Sequence, residues 1–114
     1  MENPYVMRRG STPVQVFNVG INLTDATVFV TYKQHGKVIV EKTGREITVT
    51  PGTITVPLTQ EETLEFQAGP SHPAEVQIRY VKENGAADSS CIIPLRIEKI
   101  LKEGVIKYVS GESD

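Results

Sequence analysis

The chain reads as an all-β protein: an antiparallel β-sandwich of about seven strands, immunoglobulin-like, with one short helical turn at residues 59–65. Three observations predict this. Apolar and polar residues alternate in short runs along most of the chain, the period of a half-buried strand. Glycine, proline and asparagine interrupt those runs every 8–12 residues, the rhythm of a sandwich or barrel. Only Leu58–Phe66 carries a helix signal. It falls between the fifth and sixth strands, where immunoglobulin-like sandwiches cross from sheet to sheet. A partly open β-barrel is the alternative closure of the same strands.

Residues 1–10 are polar, contain Arg8-Arg9-Gly10, and read as a flexible arm before a domain at 11–107. Residues 13–19 form the first strand candidate, with Pro13 suited to a strand start or edge. In Ala26–Lys33, the clearest strand, Ala26, Val28, Val30 and Tyr32 face one way. Gln34-His35-Gly36-Lys37 is a tight turn that keeps both flanking strands in one sheet, and Val38–Lys42 resumes the alternation. Gly44 punctuates a further turn at 43–46. Pro51-Gly52 suits a type II turn between Ile47–Thr50 and Thr53–Pro57.

Thr59 with Glu62 is a capping box: the hydroxyl accepts from the Glu62 amide, and the carboxylate accepts from the Thr59 amide. The segment is too short to be helical alone. After a loop at 67–73, Val76, Ile78 and Tyr80 alternate with Gln77 and Arg79. Asn84-Gly85 is the strongest hairpin signal in the chain. Its partner strand is expected over Asp88–Glu98, with Cys91, Ile93, Leu95 and Ile97 on the core face and Ile92, Pro94 and Arg96 on the other. Pro94 marks that strand as an edge. Ile100, Leu101, Val105 and Ile106 make an apolar coda, and residues 108–114 read as a disordered tail.

A length of 114 residues fits one domain. With 39% hydrophobic and 23% charged residues the chain is ordinary for a globular domain, and a net charge of −2 gives no basic field for nucleic acid or anionic membrane. The single cysteine, Cys91, leaves no intramolecular disulfide. No run approaches a membrane span, and the arginines near the N-terminus are not followed by the apolar run of a secretory signal.

Catalytic signatures are absent from this reading, and the expectation is of no enzyme, cofactor or metal. His35 in its turn and His72 in the 67–73 loop lie on separate loops, and no third ligand accompanies them. Cys91, on an apolar face, reads as a small buried hydrophobe. Glu61, Glu62 and Glu65 sit in a first helical turn, where the helix dipole favours acids. Gly36-Lys37 lacks the rest of a phosphate-binding loop.

Several stretches together resemble a known group: Thr31-Tyr32-Lys33-Gln34 with Gly36-Lys37, Glu41-Lys42-Thr43, Leu58–Phe66, Val76-Gln77-Ile78-Arg79, and Lys99–Ile106. The pattern is similar to small proteins encoded in tail and structural modules of prophages of Gram-positive bacteria, from about Thr12 to Ile106. The resemblance implies a small all-β accessory protein of the tail or baseplate, with no catalytic residues. It implies partners among other tail components, including further copies of itself, and residence in the bacterial cytoplasm during assembly and then in the virion. The expected function is therefore a non-enzymatic structural or protein-interaction module. The alternative is a carbohydrate-binding or enzyme-accessory sandwich, which the absence of tryptophan disfavours. The expected docking surface carries Gln77, Arg79, Ile92 and Arg96, beside an edge able to accept another chain's strand.

Overall fold

Alternation along the chain resolves into eight strands, a 3-10 turn at Gly44–Glu46 and one α-helical turn in the computed structural model, which describes residues 5–109. The elements are β1 (Val6–Arg8), β2 (Val14–Asn22), β3 (Thr27–Gln34), β4 (Lys37–Thr43), β5 (Thr48–Pro57), α1 (Gln60–Leu64), β6 (Ala74–Val81), β7 (Ala87–Ser89) and β8 (Ile93–Glu98). One sheet runs β1-β8-β6-β3-β4, with β7 also on β6, and the other is the pair β2-β5. Neither sheet closes on itself, so the arrangement is a sandwich and not a barrel. The connectivity is immunoglobulin-like. The β3–β4 hairpin extends the larger sheet as the extra strands of variable-type domains do, and α1 carries the chain from β5 in one sheet to β6 in the other.

The core lies between the layers. Val28, Val30 and Tyr32 of β3, Val76 and Ile78 of β6, and Leu95 and Ile97 of β8 face Phe17 of β2 and Ile54 and Val56 of β5. Phe66, just after α1, meets the Tyr32 ring edge-on at 6.2 Å. Cross-strand register puts these side chains on one face: Val30 lies opposite Ile78, and Val76 opposite Ile93.

The helical turn forms as its cap predicts. The Glu62 amide donates to Thr59 Oγ1 at 3.1 Å, and the Thr59 amide donates to Glu62 Oε1 at 2.9 Å. His35 and Gly36 both have positive φ, 54° and 73°, as a two-residue turn that follows the sheet twist requires.

Several expectations are corrected. Within the supposed flexible arm, Val6–Arg8 form β1, and Met7 is buried in the core; residues 1–4 lie outside the described residues. Apolar Val6 and Met7, too few to register as a pattern, are enough to dock on an existing sheet. β1 pairs with β8 in parallel, Met7 opposite Ile97, so the sandwich is not wholly antiparallel and β8 is flanked where an edge was expected. Pro51-Gly52 does not separate two strands. β5 is continuous, Pro51 lies opposite Asn22, and Gly52 with φ 92° sits where the register against β2 slips. The extra residues of this bulge are on β2, where Val19, Gly20 and Ile21 face the single Gly52.

The strand expected over 88–98 is split into β7 and β8. The register against β6 shifts by one residue across Ser90–Ile92, which turns Cys91 out to solvent instead of into the core. At the hairpin tip only Gly85 has positive φ, and the Lys82 amide donates to the Ala86 carbonyl at 2.8 Å. That is the longer, bulged form of hairpin loop. The expected tail at 108–114 lies outside the described residues from 110 onward, and Tyr108 and Val109 are exposed and outside any element.

Candidate docking surface

Sheet edges differ sharply in how they are protected. An unpaired edge presents a row of N–H and C=O groups that another strand can take, unless charge, proline, bulging or shortness prevents it. β4 carries Lys37, Glu41 and Lys42. β5 carries Pro51 and Pro57. β1 is three residues long. β2 is the least protected: its nine residues, VQVFNVGIN, contain neither charge nor proline, and its bulge against Gly52 is confined to Val19–Ile21, leaving Val14–Asn18 regular. Among the described residues it pairs only with β5.

The alternation of β2 sets what that edge offers. Gln15, Phe17 and Val19 point inward, while Val14 and Val16 stand on the outer face, 61% and 53% exposed. Register places Val14 opposite Pro57 and Val16 opposite Thr55, so the outer face of the small sheet is uncharged over this stretch. Beyond Asn18 the pairing with β5 slips, and Ile21 is 45% exposed.

Between this half of β2 and the split strand lies a cleft of about 700 Å³. Phe17, Val19 and Ile21 form one wall; Ile78, Tyr80 and Ile92 form the other. Tyr5 reaches in from beside β1 and stacks on Phe17 with ring centroids 5.9 Å apart. The break at Ser90–Ile92 helps to open this cleft. Ser90 Oγ accepts from the Ile78 amide at 3.1 Å, and the Ser90 amide donates to the Ile78 carbonyl at 2.8 Å. These bonds keep β6 satisfied while the next residues bulge away. Alternation alone does not reveal the cleft, since its walls come from strands far apart in sequence.

The four residues expected to form a docking surface are not one patch. Ile92, 57% exposed, lines the cleft. Gln77 and Arg79 lie on the outward face of the larger sheet, and Arg96 shares that side because Leu95 and Ile97 beside it point inward. Ala74 pairs with Leu95 and Arg79 with Ser89, which separates Arg79 from Arg96 by about 20 Å along the strands. Arg96 Nε is held by Glu98 at 2.9 Å.

Charge at the capping box is built in from a third element. Lys42 on β4, itself buried, places Nζ 2.7 Å from Glu62 Oε2. Burial opposes ionisation of Glu62, but hydrogen bonds from Lys42 and Thr59, with the Lys42 charge, outweigh it and hold the carboxyl below its usual range. Tyr32 is shifted the other way, its phenol kept protonated by burial and by the Glu62 charge.

The two histidines, 37 residues apart, are brought together: His35 Nε2 lies 2.8 Å from His72 Nδ1. Nothing in their spacing indicates this.

No family model and no curated protein matches the chain. Among solved structures it is similar to the Drosophila OTK extracellular domains 3-5, with 15% identity and a TM-score of 0.35 over 85% of this chain and 32% of that one. The chain thus spans about a third of that structure's length. The fold assignment rests on strand order and register.

Proposed function

We propose that the protein is a non-enzymatic interaction module that accepts an extended segment of another polypeptide along β2, and that it serves as a tail or baseplate accessory protein of a phage or prophage. The observation carrying the docking reading is the uncharged, proline-free β2 edge, regular over Val14–Asn18 and continuous with an apolar cleft. The occupant is a strand because unpaired main-chain groups in a row are recognised by another main chain. The cleft adds side-chain selection, the usual division of labour in β-augmentation. Ile92, from the expected surface, belongs to this site, whereas Arg79 and Arg96 form a separate polar face. The tail setting rests on the sequence resemblance.

Val16→Lys combined with Ile21→Lys tests this reading, because it places two cations on β2 at exposed positions without entering the core. The variant should fold with an unchanged circular dichroism spectrum and fail to enter assembled tails. Incorporation at the parent's level would refute the proposal. Under the carbohydrate-binding alternative, Tyr5, Tyr80, Asn18 and Asp88, which share the cleft, are the contacts for a sugar. Glycan binding lost on Tyr80→Ala would favour it.

A further inference from the structure

We infer that the strand taken up by β2 is the segment Val105–Val109 of a second copy of this chain, so that copies join head to tail; the inference rests on the docking reading above. The segment reads VIKYV, a run of strand-favouring residues around one lysine. It belongs to no element, and its apolar side chains are bare: Val105, Ile106, Tyr108 and Val109 are 42%, 75%, 93% and 63% exposed. A contiguous exposed apolar run of this kind marks contact with another chain. Among the described residues, none of its main-chain groups bonds to another main chain.

Both partners present main-chain groups in a row. On β2, the Leu58 amide donates to the Pro13 carbonyl at 3.0 Å. Antiparallel pairing alternates, so Gln15 and Phe17 also bond toward β5, while Val14, Val16 and Asn18 turn their main-chain groups to the open edge. In the segment, the Gln60 side chain takes both main-chain groups of Ile106, the amide at 2.8 Å and the carbonyl at 2.9 Å. Taken up as a strand, the segment then offers Val105, Lys107 and Val109 on its opposite edge. Neither row contains proline, and the stretches Val14–Asn18 and Val105–Val109 are equal in length.

The side chains match as well. Ile106 and Tyr108 share one face of such a strand, and Val105, Lys107 and Val109 share the other. With the first pair inward, an aliphatic and an aromatic group come to the Phe17 wall of the cleft. Val105 and Val109 then extend the outer apolar surface of Val14 and Val16, and Lys107 keeps its charge in water. The Gln60 clasp roots the segment at α1 of its own chain, where it forms no pairing with its own β2, so the acceptor is the edge of another copy. Donor and acceptor are different surfaces, so the contact is heterologous and propagates into a ring or a filament.

The test uses two full-length variants at exposed positions in sedimentation velocity. Val16→Lys with Ile21→Lys blocks the acceptor edge, and Ile106→Lys with Tyr108→Lys blocks the donor segment. The parent should self-associate with rising concentration, up to about 1 mM. Each variant alone should stay monomeric with an unchanged circular dichroism spectrum. Their equimolar mixture should form a dimer and nothing larger, since it combines one free donor with one free acceptor. A donor-blocked variant that associates like the parent, as two β2 edges meeting would, or a mixture without the dimer, would overturn the inference. A parent that stays monomeric while its acceptor-blocked form is excluded from assembled tails overturns this inference alone, since β2 then takes the strand of a different protein. Entry of the acceptor-blocked form into tails overturns the docking reading as well.

Discussion

Thr59 and Glu62 show how much of this molecule depends on single side chains. Thr59 satisfies a helix-end amide, and its loss should cost about 1 kcal/mol; Thr59→Ala should lower the urea midpoint accordingly, and an unchanged midpoint would count against the cap. Glu62 is ionised by Lys42 and Thr59 together. Its carboxyl is depressed in the folded chain, so its contribution is complete above the unfolded value, about 4.3, and is lost as pH falls through the folded value. Stability should thus drop as pH falls below about 5, and drop less in Glu62→Gln. Equal slopes in parent and variant would contradict this. Tyr32 poses a different case. Its hydroxyl donates to Gln15 Oε1 at 2.6 Å inside the core, while Gln15 Nε2 is buried without a partner among the described residues. Tyr32→Phe alone strands more of that amide and should cost about 1–3 kcal/mol. Adding Gln15→Met should recover most of the loss, and a double variant no more stable than Tyr32→Phe would be evidence against a paired origin.

At the scale of elements, what was legible in the residues was whatever local chemistry decides. The capping box, the His35-Gly36 turn, β3 and β6 follow from alternation and turn residues, and all are present in the structure. What was not legible was decided by pairing partners. Val6–Arg8 is a strand only because β8 offers it a row of main-chain groups. Pro51-Gly52 continues a strand only because β2 pairs on both sides of it and bulges opposite Gly52. Cys91 leaves the core only because the register slips between β7 and β8, and the same slip helps to open the cleft at Ile92. The site inherits this division, since its edge and its two walls are non-local. The same reasoning makes Gly52 sensitive. A Cβ there meets nothing within 4 Å, but φ is 92°. Gly52→Ala should therefore destabilise through backbone strain of about 1–3 kcal/mol, without a packing defect; a stability equal to the parent's would show that the bulge relaxes freely.

For the whole molecule, α1 acts as the knot. Arg9 donates to the carbonyls of Phe66 and Leu64 and pairs with Glu103, and the Gln60 side chain brackets Ile106, so the N-terminal strand, the helical turn and the C-terminal coda are tied at one end. Apart from Tyr5, which lies four residues before Arg9, the cleft is bounded by residues distant in sequence from this knot. A rigid end and an open, uncharged edge suit a module that changes little on binding and gains a strand. Amide hydrogen exchange, compared between the free chain and assembled particles, tests this most directly. The proposal predicts new protection concentrated in residues 14–22 and around Ile92, with Gln77, Arg79 and Arg96 unchanged. Protection appearing across Gln77, Arg79 and Arg96 while β2 exchanges as in the free chain would contradict it.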